Sequence, residues 1–309
     1  MTGSLIIGIL MLSISALAGY NTANGYGVGK NALKGLLDNE NYTSETTYSL
    51  ELDGVLLSES KSLQLYDRNG DVRLNEEGVD FNSAAFCGYL DRDTTNIRKI
   101  WMQDGSQIYY DDYNGDTETR VYENSYDWNN GVGGSFDVIN QNDNDRKTID
   151  KYIRFAELVC DTMVGDLKNN IVYVSGGEDS STYEINLDAV QIPEFVNAGF
   201  SAIFAAGYND NDNLFAVLGE DPTVSNASLI FTVNKDGKLT YANAEGTLSG
   251  NGHYATLKLS LKMYDYGTTK PQRVDIETLP NVESYYVNEG GRIGEPVDEE
   301  TEEYEEIYK

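Results

Sequence analysis

The amino-acid sequence predicts an α+β protein in which a curved antiparallel sheet, shaped as an unclosed barrel, wraps around two or three helices. Three observations favour this fold class. Several segments alternate apolar and polar residues, Asn-Gly or Asp-Gly turns separate neighbouring segments of this kind, and other segments carry apolar residues at helical spacing. The order of elements is helix, hairpins, helix, strands, helix, strands. A doubly wound parallel fold would instead alternate single strands with helices.

Three dipeptides mark the turns of the predicted hairpins. Asn69-Gly70, Asp104-Gly105 and Asp236-Gly237 each lie between two extended segments, and both residues of such a pair tolerate a positive φ angle. The segment 254–263 is the clearest strand, because leucines alternate there with Lys and Ser. One apolar and one polar side are typical of antiparallel strands that are packed on one face and solvated on the other. The N-terminal and C-terminal hairpin groups could each form half of one curved sheet.

Three segments are predicted to be helical. Residues 28–37 carry a short amphipathic pattern, and residues 148–169 carry a broad apolar stripe that begins at an N-cap, Thr148. A third helix is predicted over residues 192–207, with Pro193 at its first position. Residues of the two longer helices are expected to face the concave side of the sheet and to form an apolar ligand-binding surface: Phe155, Val159, Met163, Phe195, Phe200 and Phe204.

Residues 1–19 are predicted to be a signal or anchor segment. The apolar run 5–17 is shorter than the ~20 residues that a membrane-spanning helix needs, and Ala16 and Ala18 have the small-residue spacing that a signal peptidase recognises. No Lys or Arg precedes the run, so a cleaved signal and an uncleaved tether are both open. Either one predicts an extracytoplasmic protein, secreted or tethered to the cell membrane by this segment.

The rest of the chain divides into three parts. Residues 20–30 are rich in Gly and Asn and are predicted to be a linker, and residues 31–280 are predicted to be a single α+β domain. Residues 281–309 end in a run of acidic residues and are predicted to be a disordered tail.

The charge balance argues against two classes of partner. The chain has 51 acidic and 22 basic residues, and its formal net charge is -29. Nucleic acids and anionic lipid headgroups bind basic surfaces, so we expect neither, and membrane contact only through the N-terminal segment. The two cysteines, Cys87 and Cys160, could form a disulfide or stay free, and with a single His they show no zinc-ligand spacing. We therefore expect no metal and no cofactor.

Three segments carry a likeness to known exported proteins: LVCDTMVGDLKNNI, YEINLDAVQIPEFVNAGF and FTVNKDGKLTYANAEGTLSG. Together with the order of elements, they make the chain similar to lipoprotein-carrier-like proteins of the LolA and LppX type, and most of all to uncharacterised exported proteins of Gram-positive bacteria. The resemblance spans about residues 25–280. It implies a concave apolar face able to hold acyl chains, and no enzymatic activity. The chain departs from the carriers because no Cys follows Ala18 to take a lipid anchor.

One acidic segment has the spacing of a calcium loop but lacks its glycine. Asp112, Asn114, Asp116 and Glu123 occupy positions 1, 3, 5 and 12 of such a loop, whereas Thr117 stands at position 6, where the tight turn needs Gly. The flanking sequence is typical of strands. We therefore interpret the segment as an acidic hairpin loop.

The remaining catalytic motifs are weak. The only histidine, His253, follows a Gly-Asn-Gly turn that leads into a strand, and we interpret it as a surface turn residue and not as a general base. The glycine-rich stretch 25–30 lacks the preceding strand, the first Gly and the Ser or Thr of a phosphate loop, and we interpret it as linker. The paired carboxylates of a hydrolase are recognised by their distance in space, which a sequence does not give.

Tyrosine is unusually frequent, with 23 Tyr against 9 Phe. Exposed Tyr on a sheet can stack on sugars or hold a peptide, and Tyr also suits half-buried strands. Both interpretations are open for the tyrosines of the strands and loops: Tyr109, Tyr110, Tyr113, Tyr122, Tyr126, Tyr285 and Tyr286.

The sequence as a whole leads us to expect a non-enzymatic, exported cell-envelope protein that binds an apolar ligand, such as a lipid or acyl chain, or an envelope partner. The alternative is a surface module that binds protein or polysaccharide through a Tyr-rich face. A second alternative is an extracellular hydrolase that uses two carboxylates. A cavity without polar lining between sheet and helices would favour the carrier, whereas a filled core with a flat tyrosine patch would favour the surface module.

Overall fold

A computed structural model of the chain describes residues 25–68, 70, 72–81, 94–123, 171–192, 197, 217–219, 222–287 and 293–296. The structure is mostly β-strand, and its strands form one open sheet of 13 members. Within the described ranges there is one helix of seven or more residues. The expected α+β fold, with two or three helices inside a curved sheet, is therefore wrong. The predicted helices over 148–169 and 192–207 fall almost entirely outside these ranges.

The N-terminal meander contains six strands, each paired antiparallel with the next. Its strands are β1 (Asn41–Leu52), β2 (Val55–Asp67), β3 (Val72–Phe81), β4 (Thr94–Gln103), β5 (Ser106–Tyr113) and β6 (Asp116–Glu123).

The C-terminal meander contains five strands, which are also paired antiparallel in sequence order. Its strands are β7 (Val172–Gly176), β8 (Ser180–Asp188), β9 (Thr223–Asn234), β10 (Leu239–Gly250) and β11 (His253–Tyr264). The first strand of the chain, β1, pairs antiparallel with β11, and this seam joins the two meanders. The interpretation of the two hairpin groups as halves of one sheet is thus confirmed.

Two short strands complete the sheet at its far edge. β12 (Val282–Val287) pairs parallel with β6, and β13 (Ile293–Pro296) pairs antiparallel with β12. The strand order across the sheet is β13-β12-β6-β5-β4-β3-β2-β1-β11-β10-β9-β8-β7. The chain therefore leaves β11 near the middle of the sheet and returns to it beyond the whole N-terminal meander.

All three predicted hairpins are confirmed. β2 pairs with β3, β4 with β5, and β9 with β10, across the predicted turns at Asn69-Gly70, Asp104-Gly105 and Asp236-Gly237. Asn69 itself lies outside the described residues. Asp104 and Gly105 have φ angles of 53° and 74°, as a two-residue hairpin turn requires. The segment 254–263, predicted as the clearest strand, forms nearly all of β11.

Strands with polar residues on both faces explain the wrong fold class. β3 (VRLNEEGVDF) has two adjacent charged residues, Glu76 and Glu77, and β6 (DTETRVYE) has Thr or charged residues on both of its faces. They lack the clean alternation by which a half-buried strand is found in a sequence. With such strands counted, 66% of the described residues are in strands, and helices are a minor part of the described ranges.

The helix α1 (Gly25–Asp38) packs on the C-terminal meander. It confirms the predicted helix over 28–37, but it begins at Gly25, inside the stretch 20–30 that was predicted to be a linker. A Cβ atom at Gly29 would lie 3.1 Å from Cζ of Phe231, and one at Gly25 would lie 2.8 Å from a methyl carbon of Ile171. The absence of a side chain at these two positions lets the helix backbone approach the sheet closely.

The larger core lies between α1 and the sheet. Ala32 and Leu36 of the helix are 1% and 4% exposed, and Phe231 stacks on Tyr183 with ring centroids 5.2 Å apart. The strands contribute a continuous set of buried side chains: Ile185, Leu187, Leu229, Val233, Leu239, Ala242, Ala244, Leu248, Leu259, Leu261 and Met263.

Strand registers show which side chains share a face of the sheet. Tyr48 of β1 lies opposite Leu259 of the larger core. The same row continues across the N-terminal meander through Ser60, Val79, Asn96 and Tyr113. We call this side the helix face, because α1 packs on it, and the opposite side the crossing face.

Residues 265–281, the crossing segment, run over the crossing face of the N-terminal meander. Side-chain amides of the sheet hold its backbone at two points. The Asn41 amide donates to Thr269 O at 3.0 Å and accepts from Thr269 N at 2.8 Å. The Gln103 amide donates to Val274 O at 2.8 Å and accepts from Val274 N at 2.9 Å. Each amide thus satisfies one backbone donor and one acceptor of a segment that has no strand partner there.

A smaller core lies beneath the crossing segment. Trp101, Ile108 and Val121 of β4, β5 and β6 are buried there. Three apolar side chains of the crossing segment pack on them, together with two from the sheet: Val274, Ile276, Leu279, Leu74 and Tyr110. The N-terminal meander is therefore covered on the face opposite to the one that α1 covers.

The elements extend past two predicted domain boundaries. α1 begins inside residues 20–30, and β12 and β13 lie inside residues 281–309, which were predicted to be a disordered tail. No helix in the part of the chain that the structure describes is both long and apolar enough to cross a membrane. The predicted leader, residues 1–19, lies outside that part.

Candidate functional site

Three tyrosine rings lie side by side on the helix face near the far edge of the N-terminal meander. Tyr109 of β5 meets Tyr122 of β6 edge to face, with ring centroids 5.6 Å apart. Tyr122 stacks on Tyr285 of β12 at 5.4 Å, because the parallel pairing of β6 and β12 places them opposite each other. All three rings are half-buried. Aromatic pairs of this kind contribute ~0.5–1.5 kcal/mol beyond the area that they bury.

Charged side chains continue this surface toward β4. Asp111 of β5 accepts hydrogen bonds from two arginines, from Arg98 Nε at 2.6 Å and from an Arg120 terminal nitrogen at 2.7 Å. Its side chain is only 14% exposed. Arg120 Nε also lies 3.4 Å from Glu118 Oε1, in an ion pair without hydrogen-bond geometry. We call Tyr109, Tyr122, Tyr285, Arg98, Asp111 and Arg120 together the tyrosine face.

The tyrosine hydroxyls are oriented by neighbours on the same strand. Tyr109 donates to Gln107 Oε1 at 3.0 Å, and Tyr285 donates to Glu283 Oε2 at 2.5 Å. Burial, and then the neighbouring Tyr122, raise the pKa of Tyr109. The hydrogen bond to Glu283 raises the pKa of Tyr285. Both phenols therefore remain neutral hydrogen-bonding groups well above neutral pH.

Arg120 stays charged in this setting. Burial alone lowers the pKa of its guanidinium group, but the hydrogen bond to Asp111 and the charge of Glu118 outweigh burial and raise the pKa overall. The tyrosine face thus combines three ring surfaces, two cations and a bridging carboxylate on one face of the sheet. Such a surface can bind a ligand that has apolar faces and hydroxyl groups.

The other predicted tyrosines have different places. Tyr113 lies on the helix face farther along β5 and is 45% exposed. Tyr110 points to the crossing face and packs on the smaller core. Tyr126 and the side chain of Tyr286 lie outside the described residues. The structure therefore brings three of the seven tyrosines together and separates two others from them.

The predicted apolar ligand-binding residues, Phe155, Val159, Met163, Phe195, Phe200 and Phe204, all lie outside the described residues, as do Cys87 and Cys160. The expected concave apolar surface stays a prediction. Where the space between α1 and the sheet is described, side chains and close glycine contacts fill it.

The acidic segment after β5 is a hairpin turn, as interpreted from the sequence. Asn114 and Gly115 have φ angles of 53° and 91°, and Gly115 N donates to Asp112 Oδ1 at 2.8 Å. Glu123 lies at the opposite end of β6 from Asp116, so it cannot close a calcium loop. Across the described ranges, no three His, Cys, Asp or Glu side chains come together in a way that could hold a metal ion.

His253 is exposed, as predicted, but it is the first residue of β11 and not a turn residue, and it has a specific partner. Its Nδ1 lies 2.7 Å from Asp53 Oδ2, and its side chain is 45% exposed. Asp53 Oδ1 also accepts from Tyr254 N at 3.0 Å. The hydrogen bond to His253, and then that to Tyr254, lower the pKa of Asp53. The pair joins the turn after β1 to the start of β11 at the seam of the two meanders.

Sequence reasoning missed the charged part of the tyrosine face, although a signal for it existed. A two-residue hairpin turn fixes the register of its strands. The turn Asp104-Gly105 therefore places Arg98 opposite Asp111, and Asn114-Gly115 places Tyr109 opposite Arg120. The acidic composition of the second turn resembles a calcium loop, which hides its signal as a hairpin turn.

Comparisons of the chain with protein-family models and with curated proteins found no match. The interpretation of the tyrosine face accordingly depends on its geometry and chemistry.

Proposed function

We propose that the protein is a non-enzymatic, extracytoplasmic module that binds a neutral polysaccharide on its tyrosine face. The observation that carries the proposal is the row of Tyr109, Tyr122 and Tyr285 beside the Asp111 carboxylate and its two arginines. Aromatic rings contact the apolar faces of sugars, and charged groups form strong hydrogen bonds with hydroxyls.

The polar groups match the chemistry of a sugar hydroxyl, which both donates and accepts hydrogen bonds. Arg98, whose side chain is 46% exposed, supplies donors, and Glu118, 52% exposed, supplies acceptors. Asp111 uses both of its oxygens to fix the two guanidinium groups, so the donors are oriented before a ligand arrives. Preorganised groups lose little conformational entropy on binding.

The net charge favours a neutral ligand. At -29, the protein repels polyanions at long range. A neutral polysaccharide is not repelled, and stacking on aromatic rings does not need a charged ligand.

The packing of α1 also supports a surface site over a carrier. A Cβ atom at Gly29 would come within 3.1 Å of Phe231, so the sheet and helix leave no room for an acyl chain at that point. The predicted apolar-ligand function and the carboxylate-based hydrolase both stay predictions, without a described group of residues to support them.

Affinity electrophoresis and calorimetry with soluble neutral polysaccharides test the proposal. The panel contains starch, xylan, a mixed-linkage glucan and a mannan. We expect the wild type to bind at least one of them, and Tyr122→Ala to weaken binding about tenfold. Tyr285→Ala provides a second variant, on β12. Tyr254→Ala is the matched control, because Tyr254 is 45% exposed and lies away from the tyrosine face.

Two results would overturn the proposal. One is a wild type that binds none of these polysaccharides. The other is binding that Tyr122→Ala and Tyr285→Ala leave unchanged, with circular dichroism showing that both variants are folded.

A further inference from the structure

The strand β7 (Val172–Gly176) forms the outer edge of the C-terminal meander. Within the part of the chain that the structure describes, it pairs only with β8. All five of its residues are exposed, and three of them are large and apolar: Val172 is 59% exposed, Tyr173 55% and Val174 47%. The outer edge of such a strand presents unpaired backbone donors and acceptors beside an apolar surface.

The two edges of the sheet differ in how they are protected. β13, at the opposite edge, has four residues and contains Glu295 and Pro296. A short strand, a charge and a proline are devices that prevent pairing with another chain. β7 has the sequence VYVSG, with neither a charge nor a proline. Its composition favours pairing with a further strand.

The β7 edge is also fixed in place. Gly177 N donates to Ser180 O at 2.9 Å and closes the turn to β8, and Lys235 N donates to Asp179 O at 2.9 Å and attaches that turn to the hairpin of β9 and β10. Tyr173 packs edge to face on Tyr183, with ring centroids 5.7 Å apart. A strand held in this way is preorganised, which lowers the entropic cost of adding another strand to it.

Charge around β7 indicates the kind of partner. Glu178 and Asp179 are exposed at the end of the strand, and Glu184 of β8 lies opposite Val172. Lys235 is 3.6 Å from Asp179 and offsets only one of these charges. These acidic residues attract basic segments and repel acidic ones.

A second copy of the chain fits this edge poorly. Each copy carries a net charge of -29, and the five residues of β7 offer far less contact than the roughly 1,200 Å² of a standard stable interface. We propose instead that β7 is a docking edge for an extended, basic segment of a partner protein, which adds to the sheet as a further strand. A valine or another β-branched residue of the partner segment packs beside Val172. Lys or Arg residues of the same segment pair with the acidic residues around β7.

Hydrogen exchange by mass spectrometry on the full chain tests this inference, with a short synthetic peptide of alternating lysine and valine as the probe. We expect the peptide to protect the amides of residues 172–176. We expect the double variant V172S/V174S to weaken binding about tenfold, because two exposed apolar contacts are lost. Val190→Ser is the matched control, since Val190 is 95% exposed and lies outside β7.

A second peptide, in which glutamate replaces each lysine, tests the charge class. We expect it to bind at least tenfold more weakly than the lysine peptide at low salt. Equal binding of the two peptides, an absence of protection at residues 172–176, or a wild type that forms a dimer lost in V172S/V174S would each overturn the inference. The tyrosine face lies at the other end of the sheet, so neither outcome depends on polysaccharide binding.

Discussion

In the C-terminal meander α1 covers the helix face of the sheet, whereas in the N-terminal meander the crossing segment covers the opposite face. The two halves are continuous through the seam of β1 and β11. Among the described residues, the two halves are thus covered on opposite sides of the sheet. The tyrosine face occupies the side of the N-terminal meander that the helix would cover if the two halves were alike.

α1 and the crossing segment are held on the sheet in different ways. α1 packs through apolar contacts and through the close approach of Gly25 and Gly29 to the sheet. The crossing segment has little regular structure and is held by the amides of Asn41 and Gln103, with a smaller core beneath it. We infer that burial of apolar area stabilises the C-terminal half, while the N-terminal half also depends on a few specific hydrogen bonds.

The largest expected effect is that of Phe231→Ala in the larger core. Phe231 is 3% exposed, stacks on Tyr183 and contacts the α1 backbone at Gly29. Its truncation leaves a cavity beneath the helix, and we expect the free energy of unfolding to fall by about 3–5 kcal/mol. Urea denaturation followed by circular dichroism measures this change. Val190→Ala, at a position that is 95% exposed, should change it by less than about 0.5 kcal/mol.

If Phe231→Ala lowered the free energy of unfolding as little as the control does, the contact between α1 and the sheet would carry little of the stability of the C-terminal half. This result would contradict the inferred difference between the two halves.

A smaller and more local effect is expected for Gln103→Leu. The change leaves the backbone N–H and C=O of Val274 without the amide that satisfies both of them, and we expect a loss of about 1–3 kcal/mol. Hydrogen exchange should increase in the crossing segment, residues 265–281, more than in the C-terminal meander. Gln272→Leu provides the same substitution at an exposed position of that segment and should leave exchange unchanged. Increased exchange spread evenly over both halves would argue that the crossing segment is not held locally.

Local features of the fold were predictable because short sequences specify them. A two-residue turn such as Asp104-Gly105 needs positive φ at both positions and pairs the strands on either side. The alternation in β11 is long enough to define one buried face. These signals are complete within a hairpin, so the sequence contains all that is needed to recognise them.

The remaining features depend on pairings between distant parts of the chain. Nothing in the sequence near Tyr285 indicates that β12 pairs parallel with β6, and this pairing alone brings Tyr285 against Tyr122. The two meanders are covered on opposite faces of the sheet for the same reason. The covered face follows from where the crossing segment runs and not from the pattern of any strand. The amide contacts of Gln103 with Val274 likewise join residues at a large separation in sequence.

The smallest expected effect concerns the seam itself, where Asp53 of the N-terminal meander binds His253 and the Tyr254 backbone of the C-terminal meander. Because the pKa of Asp53 is lowered in the folded state, its contribution to stability is present above the ordinary carboxyl value near 3.9 and is lost as the pH falls through the lowered pKa. Asp53→Asn keeps a residue that tolerates the φ of 50° at this turn but removes the charge.

We therefore expect Asp53→Asn to lower the midpoint of thermal unfolding slightly at neutral pH, and the difference from the wild type to shrink below about pH 4. Thermal denaturation over a series of pH values measures this convergence. Asp265→Asn is the control, because Asp265 has a φ of 52° and the only histidine of the chain is held by Asp53. A difference that stays constant down to the lowest pH would mean that the Asp53 charge does not stabilise the seam, and that the backbone pairing of β1 with β11 holds the two unlike halves together without it.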